Sequence, residues 1–145
     1  MNFRPAHIND APQLSALLAQ LGYELDNEKL KSRILAYNEK NYQLILAEEN
    51  NTILGFIASF FYEQFVIEKP CCHIDALIIH KDYRGKGLGK QLIAMTEQFA
   101  QENGANVIEL ITANHRKPTG THDFYKSLGY QDQTVVDYTY FTKFL

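Results

Sequence analysis

Three glycines separated by single residues stand at the start of a helical pattern in the segment HKDYRGKGLGKQLI, residues 80–93. Gly85, Gly87 and Gly89 are followed by apolar residues at helical spacing, and residues 81–90 carry four basic side chains against one acidic side chain. The first turn of a helix presents N–H groups without helical acceptors at the positive end of the helix dipole. Glycine lets an anion approach these groups closely. The segment therefore predicts a site for a small, phosphate-rich ligand.

Two familiar phosphate-binding motifs do not fit this spacing. A P-loop requires glycine at the position of Arg84 and serine or threonine at the position of Gln91. The dinucleotide-binding fingerprint that begins at Gly85 requires its third glycine at the position of Lys90. The ligand is therefore expected to be held by a different kind of glycine turn.

The stretch LIIHKDYRGKGLGKQLI resembles the acyl-CoA-binding motif of the GNAT superfamily of N-acetyltransferases, [QR]-x-x-G-x-[GA]. Arg84, Gly87 and Gly89 occupy its fixed positions. A second stretch, FYKSLGY at residues 124–130, resembles another hallmark of the same family. With the order of predicted elements, the resemblance extends over nearly the whole chain. It implies a GNAT fold, acetyl-CoA as cosubstrate, and transfer of an acetyl group to a primary amine by direct attack in a ternary complex.

The resemblance also implies roles for individual residues. Tyr125 matches the family tyrosine that commonly protonates the departing thiolate. In this family the strand before the glycine turn splays from its neighbour and offers backbone groups to the cofactor arm. The implied cofactor-binding residues are Leu77, Ile78 and Ile79 on that strand, Arg84, Gly85, Lys86, Gly87, Leu88 and Gly89 in the turn, and Asn114 downstream.

The general base is predicted to lie on the strand CCHIDALII, residues 71–79. Many family members have a glutamate where Asp75 stands, and arylalkylamine acetyltransferases have histidines at the positions of His73 and Asp75. Asp75, His73 and a chain of water molecules remain alternatives, since an unperturbed imidazole titrates near neutral pH and a carboxylate can act through water. Strand alternation predicts one face made of Cys71, His73, Asp75 and Leu77, and an opposite face made of Cys72, Ile74 and Ala76.

The elements that position these residues follow from local patterns, and their predicted order is βααβββαβαβ. Asp10 with Gln13 three residues later predicts a capping box for the first helix. Asp26 or Asn27 is expected to cap the second helix, and a hairpin is expected to turn within residues 50–51. Residues 133–145 are expected to form one or two closing strands. The predicted fold class is α/β (α+β), with a mixed, mostly antiparallel sheet flanked by helices.

Composition limits the remaining possibilities. The chain has 145 residues and a net charge of −3, which predicts a single domain over residues 1–145 and argues against a general nucleic-acid binder. No apolar run approaches the length of a membrane span. Cys71 and Cys72 are the only cysteines, and because they are adjacent they predict a reduced, cytoplasmic protein. Cys71, His73 and Asp75 are metal-ligand types, but no clear fourth ligand accompanies them, so no metal is expected.

The acceptor is expected to be a small-molecule amine, because the chain has little length beyond the core fold. Residues 21–35 and the aromatic segment 60–70 are expected to shape its site. A non-catalytic CoA-binding regulatory module and a protein or peptide N-acetyltransferase are the alternative functions. A homodimer is left open by the aromatic carboxyl-terminal end.

Overall fold

The computed structural model describes residues 1–66, 68–132 and 143–144. Its strands and helices follow the predicted order up to the last predicted strand. In chain order they are β1 (Asn2–Pro5), α1 (Ala11–Ala19), α2 (Asn27–Ala36), β2 (Tyr42–Glu49), β3 (Thr52–Tyr62), β4 (Cys71–Ile79), α3 (Leu88–Glu102), β5 (Val107–Leu110) and α4 (Thr121–Ser127). The closing strands expected over residues 133–145 lie outside the described residues, apart from residues 143–144.

The chain divides into two compact units. Met1–Ile111 contains the sheet together with α1, α2 and α3. Thr112–Leu145 contains a short 3₁₀ helix, Asn114–Thr119, followed by α4. The single domain expected over residues 1–145 stays a prediction.

The five strands form one sheet in the order β1-β2-β3-β4-β5. The first three pairs are antiparallel, and β4 pairs with β5 in parallel. The hairpin between β2 and β3 turns at Asn50 and Asn51, whose φ angles are +50° and +61°. Asparagine tolerates this left-handed conformation better than most residues. The predicted fold class, a mixed and mostly antiparallel sheet with helices, is confirmed.

Helices cover both faces of the sheet in the first unit. The core beside α1 and α2 is built from Leu14, Leu17, Leu30 and Ile34 on the helices and Leu44, Leu46, Phe56 and Ile78 on the strands. On the other face, α3 contributes Leu92 and Ile93, which are at most 1% exposed. Burying the side chain of a leucine or isoleucine contributes about 1.5–3 kcal/mol, so these residues fix α3 against the sheet.

The helix caps follow the sequence in one case and depart from it in the other. Of the two residues expected to cap α2, Asp26 is the cap, and its Oδ1 accepts from the backbone N–H of Lys29 at 2.8 Å. Asp10 precedes α1 but makes no side-chain cap bond to it. Its carboxylate instead accepts from both terminal nitrogens of Arg4, at 2.7 and 2.9 Å, and from the backbone N–H of His7. The predicted capping box is therefore wrong, because a bidentate arginine competes for the same oxygens.

The Asp10 carboxyl is buried, and its ion pair decides its ionisation. Burial alone would raise the pKa of this group, but the hydrogen bonds from Arg4 and His7 outweigh it and hold the pKa below the ordinary value. Glu48 on β2 accepts from the same guanidinium at 2.7 Å. Arg4 on β1 therefore links Glu48 on β2 to Asp10 at the start of α1.

A β-bulge in β4 changes the predicted alternation of side chains. Ala58 on β3 pairs with Ala76, but the next residue of β3, Ser59, pairs with Ile74, so Asp75 is an extra residue in β4. Such a residue shifts the alternation of the strand by one position. Ala76 therefore shares the α1–α2 face with His73 and Asp75, and Leu77 lies on the α3 face. The predicted positions of Ala76 and Leu77 were wrong, because strand alternation takes no account of a bulge.

Candidate active site

The glycine turn joins β4 to α3, and two of its glycines have the left-handed backbone conformation. Gly85 and Gly87 have φ angles of +73° and +81°, and Gly87 is the residue that precedes the first residue of α3. A Cβ built on either glycine would meet no atom within 4 Å, so the protein leaves open space there. The positive φ values explain why glycine is needed at both positions.

Basic side chains surround this turn. The Nε of Arg84 donates to the carbonyl of Ile79 at 3.0 Å, which anchors the turn to the end of β4. The Nζ of Lys86 lies 4.8 Å from the centroid of the Tyr83 ring. At the start of α3, Leu88 is buried and fixes the helix end, while Gly89 and Lys90 complete its first turn. The N–H groups of this turn precede the first helical hydrogen bond, from Gln91 to Gly87 at 3.1 Å.

The carboxyl-terminal half of β4 has a free edge toward β5. The parallel ladder between the two strands runs only from Cys71 and Val107 to Ile74 and Leu110. Among the described residues, no strand pairs with Asp75–Ile79 on that edge, while the opposite edge stays paired with β3. Leu77, Ile78 and Ile79 thus have the strand geometry that the family resemblance implies.

The two candidate bases both contact residues that were not selected from the sequence. The Tyr37 hydroxyl, at the end of α2, donates to Oδ2 of Asp75 at 2.9 Å. Burial and this hydrogen bond raise the pKa of Tyr37 above the ordinary range, which keeps the donor protonated. Nδ1 of His73 lies 3.3 Å from Oε1 of Glu109 on β5. The Tyr62 hydroxyl donates to the same oxygen at 2.6 Å.

A row of aromatic rings lies between these two contacts. Tyr42, Phe60 and His73 occupy neighbouring positions on β2, β3 and β4. Ring centroids are 5.1 Å apart for Tyr37–Tyr42, 6.0 Å for Tyr42–Phe60, 5.0 Å for Phe60–His73 and 6.1 Å for Phe60–Tyr62. Asp75 lies near one end of the row, hydrogen-bonded to Tyr37, and Glu109 lies near the other end, hydrogen-bonded to Tyr62.

In the second unit, Asn114 and Tyr125 occupy different elements. Asn114 is exposed and begins the 3₁₀ helix. Tyr125 is half-buried in α4, with its ring centroid 5.1 Å from that of Phe124 and 5.8 Å from that of Tyr130. Burial raises the pKa of the Tyr125 phenol above its usual value. The side chain therefore keeps a proton to donate at neutral pH.

Sequence reasoning missed Glu109, Tyr37 and Tyr62. Glu109 alternates with apolar residues in the predicted strand NVIELIT, which is a signal for an exposed polar residue but not for a partner of His73. Tyr37 and Tyr62 are two of nine tyrosines, so residue type alone did not distinguish them. Their contacts depend on strand register and on where α2 ends.

The described residues contain neither a metal-ligand cluster nor a membrane-spanning helix. Within residues 1–66, 68–132 and 143–144, no group of three or more His, Cys, Asp or Glu side chains is arranged to hold a metal ion. In the part of the chain that the structure describes, no helix is both long enough and apolar enough to cross a membrane.

Known proteins resemble this chain over most of its length. The family model described as acetyltransferase (GNAT) family matches residues 11–130. An uncharacterized N-acetyltransferase of Methanocaldococcus jannaschii, MJ1207, is 32% identical over 92 residues, which are 63% of this chain but only 40% of that protein. Aminoalkylphosphonate N-acetyltransferase of Salmonella typhimurium is 30% identical over 132 residues, with 88% of this chain and 83% of that protein covered.

A solved structure agrees with these matches. The crystal structure of the aminoglycoside acetyltransferase meta-AAC0020 from an uncultured soil metagenomic sample, in complex with sisomicin, is 26% identical to this chain. It superposes with a TM-score of 0.75 and covers 98% of this chain and 96% of its own. The fold, the glycine turn and the family model agree, and the chain belongs to the acetyltransferase (GNAT) family.

Proposed function

We propose that this acetyltransferase moves the acetyl group of acetyl-CoA to the primary amine of a small molecule, by direct attack in a ternary complex. The observation that carries the proposal is the left-handed glycine turn, which joins the free-edged half of β4 to the first turn of α3. This arrangement offers an anion site beside a strand edge that, among the described residues, no second strand pairs with over Asp75–Ile79.

The residues of the turn fit the pyrophosphate of coenzyme A. The first-turn N–H groups of Leu88, Gly89 and Lys90 have no helical acceptors and lie at the positive end of a helix of 15 residues. Open space at Gly85 and Gly87 gives phosphate oxygens room to approach the backbone. Lys86 and Arg84 add positive charge, and we propose Asn114 as a further contact.

The free edge of β4 fits the arm of the cofactor. Backbone groups of Leu77, Ile78 and Ile79 would bond to the pantetheine amides, and a strand N–H would donate to the thioester carbonyl. The bound group supplies an activated acetyl thioester. The chain holds this carbonyl against an N–H donor, so that negative charge developing on its oxygen is stabilised.

The proton transfers are assigned to side chains. We propose His73 or Asp75 as the base that accepts the proton of the incoming ammonium group, since a protonated amine has no lone pair for attack. We propose Tyr125 as the acid that gives its phenolic proton to the leaving thiolate. The phenol is protonated at neutral pH and burial raises its pKa, so the proton is present before the thiolate leaves.

The aromatic row favours an acceptor amine that is cationic and carries no anionic group. Aromatic faces attract ammonium groups by about 0.5–2 kcal/mol, and Asp75 and Glu109 add negative charge at the two ends of the row. Among the described residues, neither carboxylate forms an ion pair with a lysine or arginine. The relative from Salmonella typhimurium is named for aminoalkylphosphonates, whose anionic group would be repelled by these two carboxylates.

Two further proposals concern the whole chain. We propose a single functional domain over residues 1–145, which is supported by a family match that runs from residue 11 to 130 across both compact units. We propose a cytoplasmic location, which is supported by two cysteines that are buried and free. A homodimer remains a prediction.

The test begins with calorimetric titration of acetyl-CoA into the purified protein, with ATP and NAD as controls. Saturable binding of acetyl-CoA alone is expected. Turnover is then measured for phenethylamine, phenylalanine and 2-aminoethylphosphonate, and kcat/KM is expected to be at least tenfold higher for phenethylamine than for the two amines that carry an anionic group.

Each failure has a separate meaning. A folded protein that does not bind acetyl-CoA would refute the proposed activity. Selective binding without transfer to any small amine would favour a regulatory module or a protein acceptor. Preferred turnover of the phosphonate would refute the acceptor class while leaving the activity intact.

A further inference from the structure

We propose that Glu109 is a positioning residue that holds His73 in the tautomer needed for a general base, a role that rests on the proposed function. Its hydrogen bonds join its own strand, β5, to β4 and β3. Glu109 on β5 is the register partner of His73 on β4, and His73 is in turn the partner of Phe60 on β3. Tyr62 lies two residues beyond Phe60 on the same face of β3.

The hydrogen bonds determine which nitrogen of His73 carries the proton. Oε1 of Glu109 lies 3.3 Å from Nδ1 of His73 and accepts from the Tyr62 hydroxyl at 2.6 Å. An ionised carboxylate only accepts hydrogen bonds, so a stable contact requires a hydrogen on Nδ1. In neutral His73 this leaves Nε2 without a hydrogen and with a free lone pair.

Tyr62 holds the acceptor in place. Its hydrogen bond to Glu109 is the main reason that the pKa of the Tyr62 phenol is raised above the ordinary range, so the phenol remains a donor. Oε1 of Glu109 thus has two donors, one from β3 and one from β4. The Phe60 ring lies against the imidazole, with centroids 5.0 Å apart and planes inclined by 35°. These contacts limit rotation of both side chains.

The imidazole of His73 is largely buried but keeps some contact with solvent. The His73 side chain is 17% exposed and that of Glu109 is 45% exposed. Among the described residues, the titratable groups near His73 on this face of the sheet include Glu109 on β5, Tyr62 on β3, Cys71 and Asp75 on β4, Tyr42 on β2 and Tyr37 at the end of α2. Among these, Glu109 is the group for which a contact with the ring nitrogen of His73 is observed.

The proton moves in one balanced step. The N–H bond of the incoming ammonium breaks, a bond from Nε2 of His73 to that proton forms, and the amine keeps the electron pair with which it attacks. The resulting imidazolium lies beside the carboxylate of Glu109, which stabilises the new positive charge. After transfer the proton leaves to solvent. The opposite tautomer would present an N–H to the ammonium group and would accept no proton there.

The first measurement is the tautomer itself, which requires no substrate. Long-range proton–nitrogen correlation spectra of the full chain, at a pH where the ring is neutral, are expected to show His73 with its hydrogen on Nδ1. His73→Gln assigns the signal among the five histidines. In Glu109→Ala the hydrogen is expected to move to Nε2, the form that an unconstrained histidine side chain favours.

The second measurement uses the amine that the wild-type protein acetylates fastest. Glu109→Ala is expected to lower kcat by about 10²- to 10⁴-fold, the range of a general-base contribution, with an unchanged KM for acetyl-CoA. Glu109→Gln is expected to keep more activity than Glu109→Ala, because an amide oxygen still accepts from Nδ1. Glu102→Gln, on the exposed end of α3, is the charge-matched control and is expected to have wild-type kcat.

The outcomes separate this inference from the proposed function. A hydrogen on Nε2 of His73 in the wild-type protein, or transfer with a normal kcat in Glu109→Ala, would overturn the role of Glu109 alone. Absence of acetyl transfer by the wild-type protein would overturn the proposed function and the base role with it.

Discussion

A matched pair of glycine substitutions at the two ends of α3 would test the phosphate site directly. Gly87 precedes α3 with a φ of +81°, and Gly104 follows it with a φ of +79°. Both glycines are exposed, and a Cβ at either would meet no atom within 4 Å. The 15-residue helix between them is about 22 Å long, so only Gly87 lies at the proposed site.

The cost to stability should be the same for both substitutions. Alanine in a left-handed conformation costs about 1–2 kcal/mol, and a chain of this size loses about 2–4 °C in Tm per kcal/mol. Gly87→Ala and Gly104→Ala are therefore expected to show similar falls in Tm. Thermal unfolding followed by circular dichroism measures both.

The cost to binding should differ between the two variants. Relief of the strain at Gly87 would rotate the first N–H donors of α3 away from the phosphate. Loss of one hydrogen bond to a charged oxygen costs about 1.5–3 kcal/mol, which is roughly a 10- to 150-fold weaker Kd for acetyl-CoA. Gly104→Ala should bind acetyl-CoA like the wild type. Equal affinities in all three proteins would show that the turn at Gly87 does not hold the cofactor, and equal losses in both variants would mean that the effect is general destabilisation.

Three other predictions concern Tyr125, Asp10 and Gly55. Tyr125→Phe should lower kcat far more than it changes the Kd for acetyl-CoA, because it removes a proton donor and keeps the ring. Steady-state kinetics measures kcat and calorimetry measures the Kd. An unchanged kcat would exclude Tyr125 as the acid. Asp10→Asn should destabilise the protein by about 1–3 kcal/mol at neutral pH, since it weakens the charged bonds from Arg4. Because the pKa of Asp10 is lowered on folding, the wild-type advantage should shrink as the pH falls below about 4, which urea unfolding at several pH values would detect. Gly55→Ala should cost about 1–3 kcal/mol, because its Cβ would lie 2.8 Å from the carbonyl oxygen of Ile78; a wild-type free energy of unfolding would contradict the close packing of β3 on β4.

Features with local causes were predictable from the sequence. The turn at Asn50 and Asn51 needs two residues that accept positive φ, and asparagine is such a residue. The cap of α2 needs one short acidic side chain, and Asp26 supplies it. The glycine turn combines positive φ angles with a strong amphipathic helix, and both signals lie within residues 80–93. Each of these features depends on residues that are close together in the sequence.

Features that depend on tertiary pairing were not predictable in the same way. Asp10 has a good capping sequence, yet its carboxylate is bonded to Arg4, because β1 places that guanidinium beside it. Glu109 is 36 residues from His73, and the two meet only because the parallel register of β4 and β5 aligns them. No short-range pattern encodes that register, which depends on how β5 pairs with β4.

The bulge at Asp75 connects the two halves of the candidate site. Strand alternation places His73 and Asp75 together on the α1–α2 face, where Phe60 and Tyr37 contact them, and the extra residue brings Ala76 onto the same face. The ladder to β5 ends at Ile74, one residue earlier, so the free edge begins where the bulge lies. Among the described residues, no strand continues the pairing along this edge beyond Ile74, so the edge lies next to the candidate base Asp75. The stretch of β4 from His73 to Ile79 therefore offers both requirements of the proposed reaction: polar side chains that accept a proton on one face, and backbone donors that stabilise an oxyanion along the adjoining edge.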